Sequence, residues 1–134
     1  MITQLDHIGI AVADMDAAIA TYTQLLGAAP TSVEDVPTER VRTAFFKVGE
    51  TQVELLAATS DDSPIAKFIA KNGEGVHHMA FRVTDIRTAI VQYQKDGFTV
   101  IGDAPRPGAH DTQVVFLHPK TTHGTLIELV QLSQ

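Results

Sequence analysis

With 134 residues and a mass of 14.5 kDa, the chain has room for one domain, or for two small halves sharing a core. Its 44% apolar and 19% charged residues exclude a disordered or coiled-coil chain. A net charge of −6 with scattered basic residues argues against a nucleic-acid partner, and no apolar run approaches the roughly 18 residues of a membrane span.

The N-terminal stretch Met1–Asp6 lacks the basic start and apolar core of a signal peptide. The absence of cysteine removes disulfides, thiolate catalysis and zinc–thiolate sites, and fits a reducing compartment, so a cytoplasmic protein is expected. Alternating side chains predict a strand over 5–12. Asp14 then caps a helix whose apolar stripe is Met15, Ala18, Ile19, Tyr22 and Leu26, and Gly27 ends it. Strands follow near 30–34, 41–48 and 51–57. A linker over 59–75 holds a short helix at 65–71. A second strand-and-helix pair follows: a strand over 77–83, then an Asp85-capped helix carrying Ile86, Ala89, Ile90 and Tyr93, ended by Gly97. The last strands are predicted near 98–102, 112–117 and 125–131.

The second half repeats the first. At a constant offset of 71, His7 matches His78, Val12 matches Val83, Asp14 matches Asp85, and Tyr22 matches Tyr93. Ala18 and Ile19 likewise match Ala89 and Ile90. Each half later reaches an apolar strand interrupted by one glutamate, Glu54 or Glu128. The expected fold is therefore α+β: two tandem βαβββ modules (about 1–58 and 76–134) in one domain. They are related by a pseudo-twofold axis, with curled mixed sheets enclosing a metal-binding cavity.

Strand parity sorts the candidates. Ile8, Ile10 and Val12 form the bulky face of the first strand, leaving His7, Gly9 and Ala11 on the other. Likewise His78, Ala80 and Arg82 oppose His77, Met79, Phe81 and Val83. The faces with small residues leave space beside a histidine, which pairs His78 with His7 and assigns His77 to packing or the strand start. An ionised Glu54 or Glu128 on an apolar strand is costly unless paired or bound to a metal. The repeat-related set His7, Glu54, His78 and Glu128 thus suits a divalent ion such as Co²⁺, Zn²⁺, Ni²⁺, Mn²⁺ or Fe²⁺. Gln52 shares the parity of Glu54 and rivals it as a ligand. His110, His118 and His123 fall in loops and are expected to be solvated.

These modules and their His…Glu…His…Glu set resemble the vicinal oxygen chelate superfamily, which shares the glyoxalase fold. Within it the chain resembles the methylmalonyl-CoA epimerases. The resemblance lies in Leu5-Asp6-His7-Ile8-Gly9-Ile10-Ala11-Val12, Glu54-Leu55-Leu56, Ser63-Pro64-Ile65-Ala66-Lys67-Phe68 and Gly73-Glu74-Gly75-Val76-His77-His78. It continues in Pro107-Gly108-Ala109-His110, Phe116-Leu117-His118-Pro119-Lys120 and Leu126-Ile127-Glu128-Leu129-Val130-Gln131. It implies an isomerase that interconverts the C2 epimers of methylmalonyl-CoA. A divalent ion, cobalt foremost with zinc, nickel, manganese or magnesium as others, would sit on His7, His78 and Glu128, with Glu54 where some members have glutamine. It also implies a homodimer.

The resemblance has two departures. Thr43 aligns with a glutamate that some members are proposed to use as a base, and Asp111 stands where the pattern has glycine. That role is therefore not carried over; Glu54 and Glu128, related by the repeat, are the expected catalytic carboxylates, one for each face of the substrate. Lys120 is the expected contact to CoA phosphate, with Arg106 and His110 weaker candidates; Arg82, on the cavity face, is a further substrate-binding candidate that could pair a carboxylate, with a solvent-facing strand end as its alternative. Three other readings remain: a glyoxalase-type isomerase of a glutathione thiohemiacetal, an iron dioxygenase, and a non-catalytic binding protein that sequesters an antibiotic. The second glutamate argues against the dioxygenase, and the intact ligand set against the binding protein.

Overall fold

Alternation, caps and turns organise the chain as its sequence suggests. The computed structural model describes residues 1–133. The class is α+β. In chain order the elements are β1 (Ile2–Ala11), α1 (Met15–Leu26), β2 (Ser32–Val36), β3 (Val41–Val48) and β4 (Thr51–Ala58). There follow α2 (Pro64–Asn72), β5 (Gly75–Val83), α3 (Ile86–Lys95), β6 (Val100–Gly108), β7 (Thr112–Leu117) and β8 (Ile127–Leu132). Among the described residues no helix is long and apolar enough to cross a membrane.

The chain forms two compact units. One holds Ile8–His77; the other joins Met1–His7 to the chain from His78 onward. In the first, β2, β3 and β4 form an antiparallel series and β1 lies beside β4. Val12, Met15, Ala44, Phe46, Leu55 and Ala57 are buried together against Ala18, Ile19, Tyr22 and Leu26 of α1. The opposite face buries Ala11, Val41 and Leu56 with Ile65, Phe68 and Ile69 of α2. The bulky face of β1 therefore meets α1, because the pleat sends successive side chains to opposite sides.

In the second unit β5 pairs in parallel with β8, and β8, β7 and β6 continue antiparallel. Helix α3 sets Ile86, Ala89 and Ile90 against Val83, Val115, Leu117 and Leu129. Ala80, Val114 and Val130 form a smaller cluster of their own. β6 runs to Gly108, well past the predicted end at residue 102. Pro105 and Pro107 argue against a strand by sequence, but β6 is an edge strand, where a missing N–H costs least. Its register shifts between Ile101 and Arg106, as a bulge would require.

Both predicted caps form. The Asp14 carboxylate accepts the Ala17 N–H, and Asp85 accepts those of Arg87 and Thr88. Asp85→Ala should therefore cost about 1 kcal/mol of stability. Urea unfolding checks this; an unchanged midpoint would mean that tertiary packing alone holds α3. At the β6–β7 turn His110 and Asp111 both take left-handed backbone, with φ 57 and 56. Asp111 thus keeps a conformation that glycine adopts freely, and aspartate tolerates it better than most side chains.

Candidate metal centre

Three strands of the second unit supply the centre. β5 and β8 run parallel with Ala80 opposite Glu128, so His78, two residues before Ala80, shares the face of Glu128. His7 closes the segment of β1 that belongs to this unit. All three are buried: His7 is 7%, His78 4% and Glu128 8% exposed.

Their donor atoms converge. His7 Nε2 lies 3.0 Å from His78 Nε2 and 3.0 Å from Glu128 Oε1, and His78 Nε2 lies 3.3 Å from the same oxygen. The rings stand edge to face, 5.1 Å apart at 89°. Glu128 Oε1 is buried beside the two imidazole nitrogens. Burial pushes the Glu128 carboxyl up, but the two imidazoles beside it outweigh that and hold it at about 2. A buried carboxylate oxygen with two imidazole nitrogens within 3.3 Å of it is the arrangement a cation would complete. Ligand bonds of about 2.0–2.2 Å at right angles place donors about 3 Å apart, which is the spacing found here. The residues therefore fit a divalent ion.

Behind His7 stands Asp6, which the sequence reading passed over. Parity sends neighbouring strand residues to opposite faces, so Asp6 carried no signal except its adjacency to a candidate ligand. It is 6% exposed. Its Oδ2 lies 2.7 Å from His7 Nδ1, and its Oδ1 accepts from Arg82 Nη2 at 2.8 Å and Nε at 3.1 Å. Burial pushes the Asp6 carboxyl up; His7 and Arg82 outweigh it and leave it below the usual carboxylate value. Arg82 does face a carboxylate, that of Asp6.

The remaining candidates are placed as follows. Glu54 is buried on β4, opposite Phe45, within the Ile8–His77 unit. Gln52 is half-buried on the same face of that strand. Thr43 is buried on β3, its hydroxyl donating to the Glu34 carbonyl at 3.3 Å. His77 packs edge to face on Phe68, ring centroids 4.8 Å apart, a packing role as expected. His110, His118 and His123 are exposed. Lys120 is exposed on a short 3₁₀ turn, Pro119–Thr121, which His118 caps by accepting the Lys120 N–H. Phe116 lies opposite Glu128 in register and 6.2 Å from the His78 ring. The Arg106 guanidinium lies over Phe116, 5.2 Å from its centroid, so this cation stands one ring away from His78.

Comparison with known proteins places this arrangement. The family model of the glyoxalase/bleomycin resistance protein/dioxygenase superfamily matches residues 6–116. An ethylmalonyl-CoA/methylmalonyl-CoA epimerase of Cereibacter sphaeroides is 41% identical, over 98% of this chain and 100% of its own. The crystal structure of a methylmalonyl-CoA epimerase from Mycobacterium tuberculosis superposes with a TM-score of 0.94 at 36% identity, over 99% of this chain and 90% of its own. A single-residue variant of the Streptomyces coelicolor methylmalonyl-CoA epimerase, in complex with 2-nitronate-propionyl-CoA, superposes with a TM-score of 0.94 at 38% identity. That match covers 99% of this chain and 96% of the other. The chain belongs to the methylmalonyl-CoA epimerase family of the glyoxalase/bleomycin resistance protein/dioxygenase superfamily.

Proposed function

We propose that the chain interconverts (2R)- and (2S)-methylmalonyl-CoA by a metal-assisted 1,1-proton transfer. The observation that carries this reading is the convergence of His7, His78 and Glu128 at donor separations of 3.0–3.3 Å. The substrate carbon bears a proton between a thioester and a carboxylate, so its removal leaves an enolate. A bound divalent ion supplies Lewis-acid stabilisation of that enolate's charge. The Streptomyces coelicolor relative binds a 2-nitronate ligand, whose planar, anionic reacting centre has the shape and charge of such an enolate.

His7, His78 and Glu128 hold the ion in this reading, and the sequence repeat extends the set to Glu54. Cobalt is the proposed ion, since two imidazoles with carboxylate oxygens suit a borderline cation. The same two carboxylates carry the protons. One accepts the C2 proton, and the other returns a proton to the opposite face, so each turnover leaves the proton count unchanged. Lys120 and His110 are the proposed contacts of the CoA end, with Arg106 beside them. Lys120 is suited to a phosphate as an exposed point charge. A cytoplasmic homodimer completes the proposal.

The test is run in D₂O with the protein stripped and reloaded with Co²⁺. On addition of (2R)-methylmalonyl-CoA, metal-dependent deuterium uptake at C2 should accompany loss of the epimer excess. Ethylmalonyl-CoA belongs in the same panel, because the Cereibacter sphaeroides relative is named for both substrates. Metal binding without exchange would overturn the substrate assignment in favour of a glyoxalase-type reaction. Glu54→Gln should retain metal and slow exchange from one epimer more than from the other. Equal loss for both epimers would end the two-base assignment.

A further inference from the structure

We infer that Asp6, anchored by Arg82, is a positioning residue that fixes the tautomer of His7. The inference rests on the reading of His7 as a metal ligand. An ionised carboxylate can only accept, so the 2.7 Å contact to Asp6 Oδ2 puts the imidazole proton on Nδ1 of His7. A neutral imidazole carries one N–H, so Nε2 is then bare and presents its lone pair to the point shared by His78 Nε2 and Glu128 Oε1. The geometry of Asp6 makes this selective. Its two oxygens have separate tasks: Oδ1 takes both Arg82 donors, at 2.8 and 3.1 Å, and Oδ2 is left for His7. With Oδ1 held by two Arg82 donors, rotating the carboxylate away from the imidazole would break those bonds. Arg82, itself half-buried, also balances the charge of Asp6, so the pair adds no net charge behind the ligand.

The repeat shows that this is a property of one half. At the offset of 71 the counterpart of Asp6 is His77, which packs on Phe68, and the counterpart of Arg82 is Ala11. The two ligand histidines, equivalent in the sequence repeat, are thus differently supported. A histidine oriented through its second nitrogen is a stronger and better aimed ligand, and loss of such a partner typically weakens metal binding about 10–100-fold.

Long-range ¹H–¹⁵N spectra of the metal-free protein, at a pH high enough for its imidazoles to be neutral, read the tautomer directly. The expected result is a protonated Nδ1 and a bare Nε2 for His7. Asp6→Asn should move His7 toward the other tautomer and weaken Co²⁺ binding about 10–100-fold in a chelator competition. Arg82→Met should do the same to a lesser degree. Arg82→Lys, which restores the charge, should recover most of the affinity. A neutral His7 with its proton on Nε2 in the unsubstituted protein would overturn the inference. So would a folded Asp6→Asn variant with unchanged tautomer and affinity. If the unsubstituted protein binds no Co²⁺ yet shows the expected tautomer, the metal-centre reading fails and the assignment of Asp6 as tautomer selector stands.

Discussion

Glu128→Gln is expected to lower epimerisation by about 10²–10⁴-fold while leaving the fold intact. The amide has nearly the shape of the carboxylate, so the apolar frame of Ala80, Val114 and Val130 stays filled. It lacks the charge that a cation between two neutral imidazoles needs, and it cannot take up the C2 proton. Turnover with the Co²⁺-loaded protein checks this, alongside circular dichroism for folding; activity within a few-fold of the unsubstituted protein would remove Glu128 from the mechanism.

The metal-free protein gives a second readout. The Glu128 carboxyl is held at about 2 in the fold, below its ordinary value of 4.5. A group whose folded value is depressed stabilises the protein above its unfolded value, and that contribution fades as pH falls toward the folded one. Stability of the stripped protein should therefore drop between about pH 5 and pH 2. In Glu128→Gln this part of the drop should vanish. An identical acid profile in both proteins would show that His7 and His78 do not hold the carboxylate ionised.

Phe46→Ala should cost about 3–5 kcal/mol, a large part of the 5–15 kcal/mol that ordinarily holds a domain folded. Phe46 is 1% exposed on the α1 side of β3, packed with Met15, Ala44 and Leu55 and 6.4 Å from the Tyr22 ring. Alanine there leaves a cavity that the surrounding strands cannot fully close. The urea midpoint should fall steeply. A loss below about 1 kcal/mol would mean that α1 settles into the gap. Phe45, its neighbour on the other face, pairs in register with Glu54, so the two positions separate core from candidate site along one strand.

The placement of helices on faces was readable without coordinates. The stripe Met15, Ala18, Ile19, Tyr22 and Leu26 meets Val12, Phe46 and Leu55, and Ile86, Ala89, Ile90 and Tyr93 meet Val83 and Leu129. Both follow from fixed periods of the backbone, 3.6 residues in a helix and 2 in a strand. The same parity put His78 on the face of Ala80 and His77 on the other, and the β5–β8 register then set Glu128 on the face of His78. β6 was read too short, because the rule that prolines avoid strands weakens at a sheet edge, and being an edge is a property of the assembled sheet.

The sequence by itself determined which residue types recur, at what offset, and on which face of which strand, because a covalent backbone carries its periodicity wherever it folds. It therefore singled out His7, Glu54, His78 and Glu128 as a set. Only the tertiary structure decided that the donor atoms of His7, His78 and Glu128 stand 3.0–3.3 Å apart, and that Arg82 grips Asp6 behind His7. Those facts depend on strand register and on how far side chains reach between residues 76 positions apart, such as Asp6 and Arg82. No local rule of spacing specifies either one.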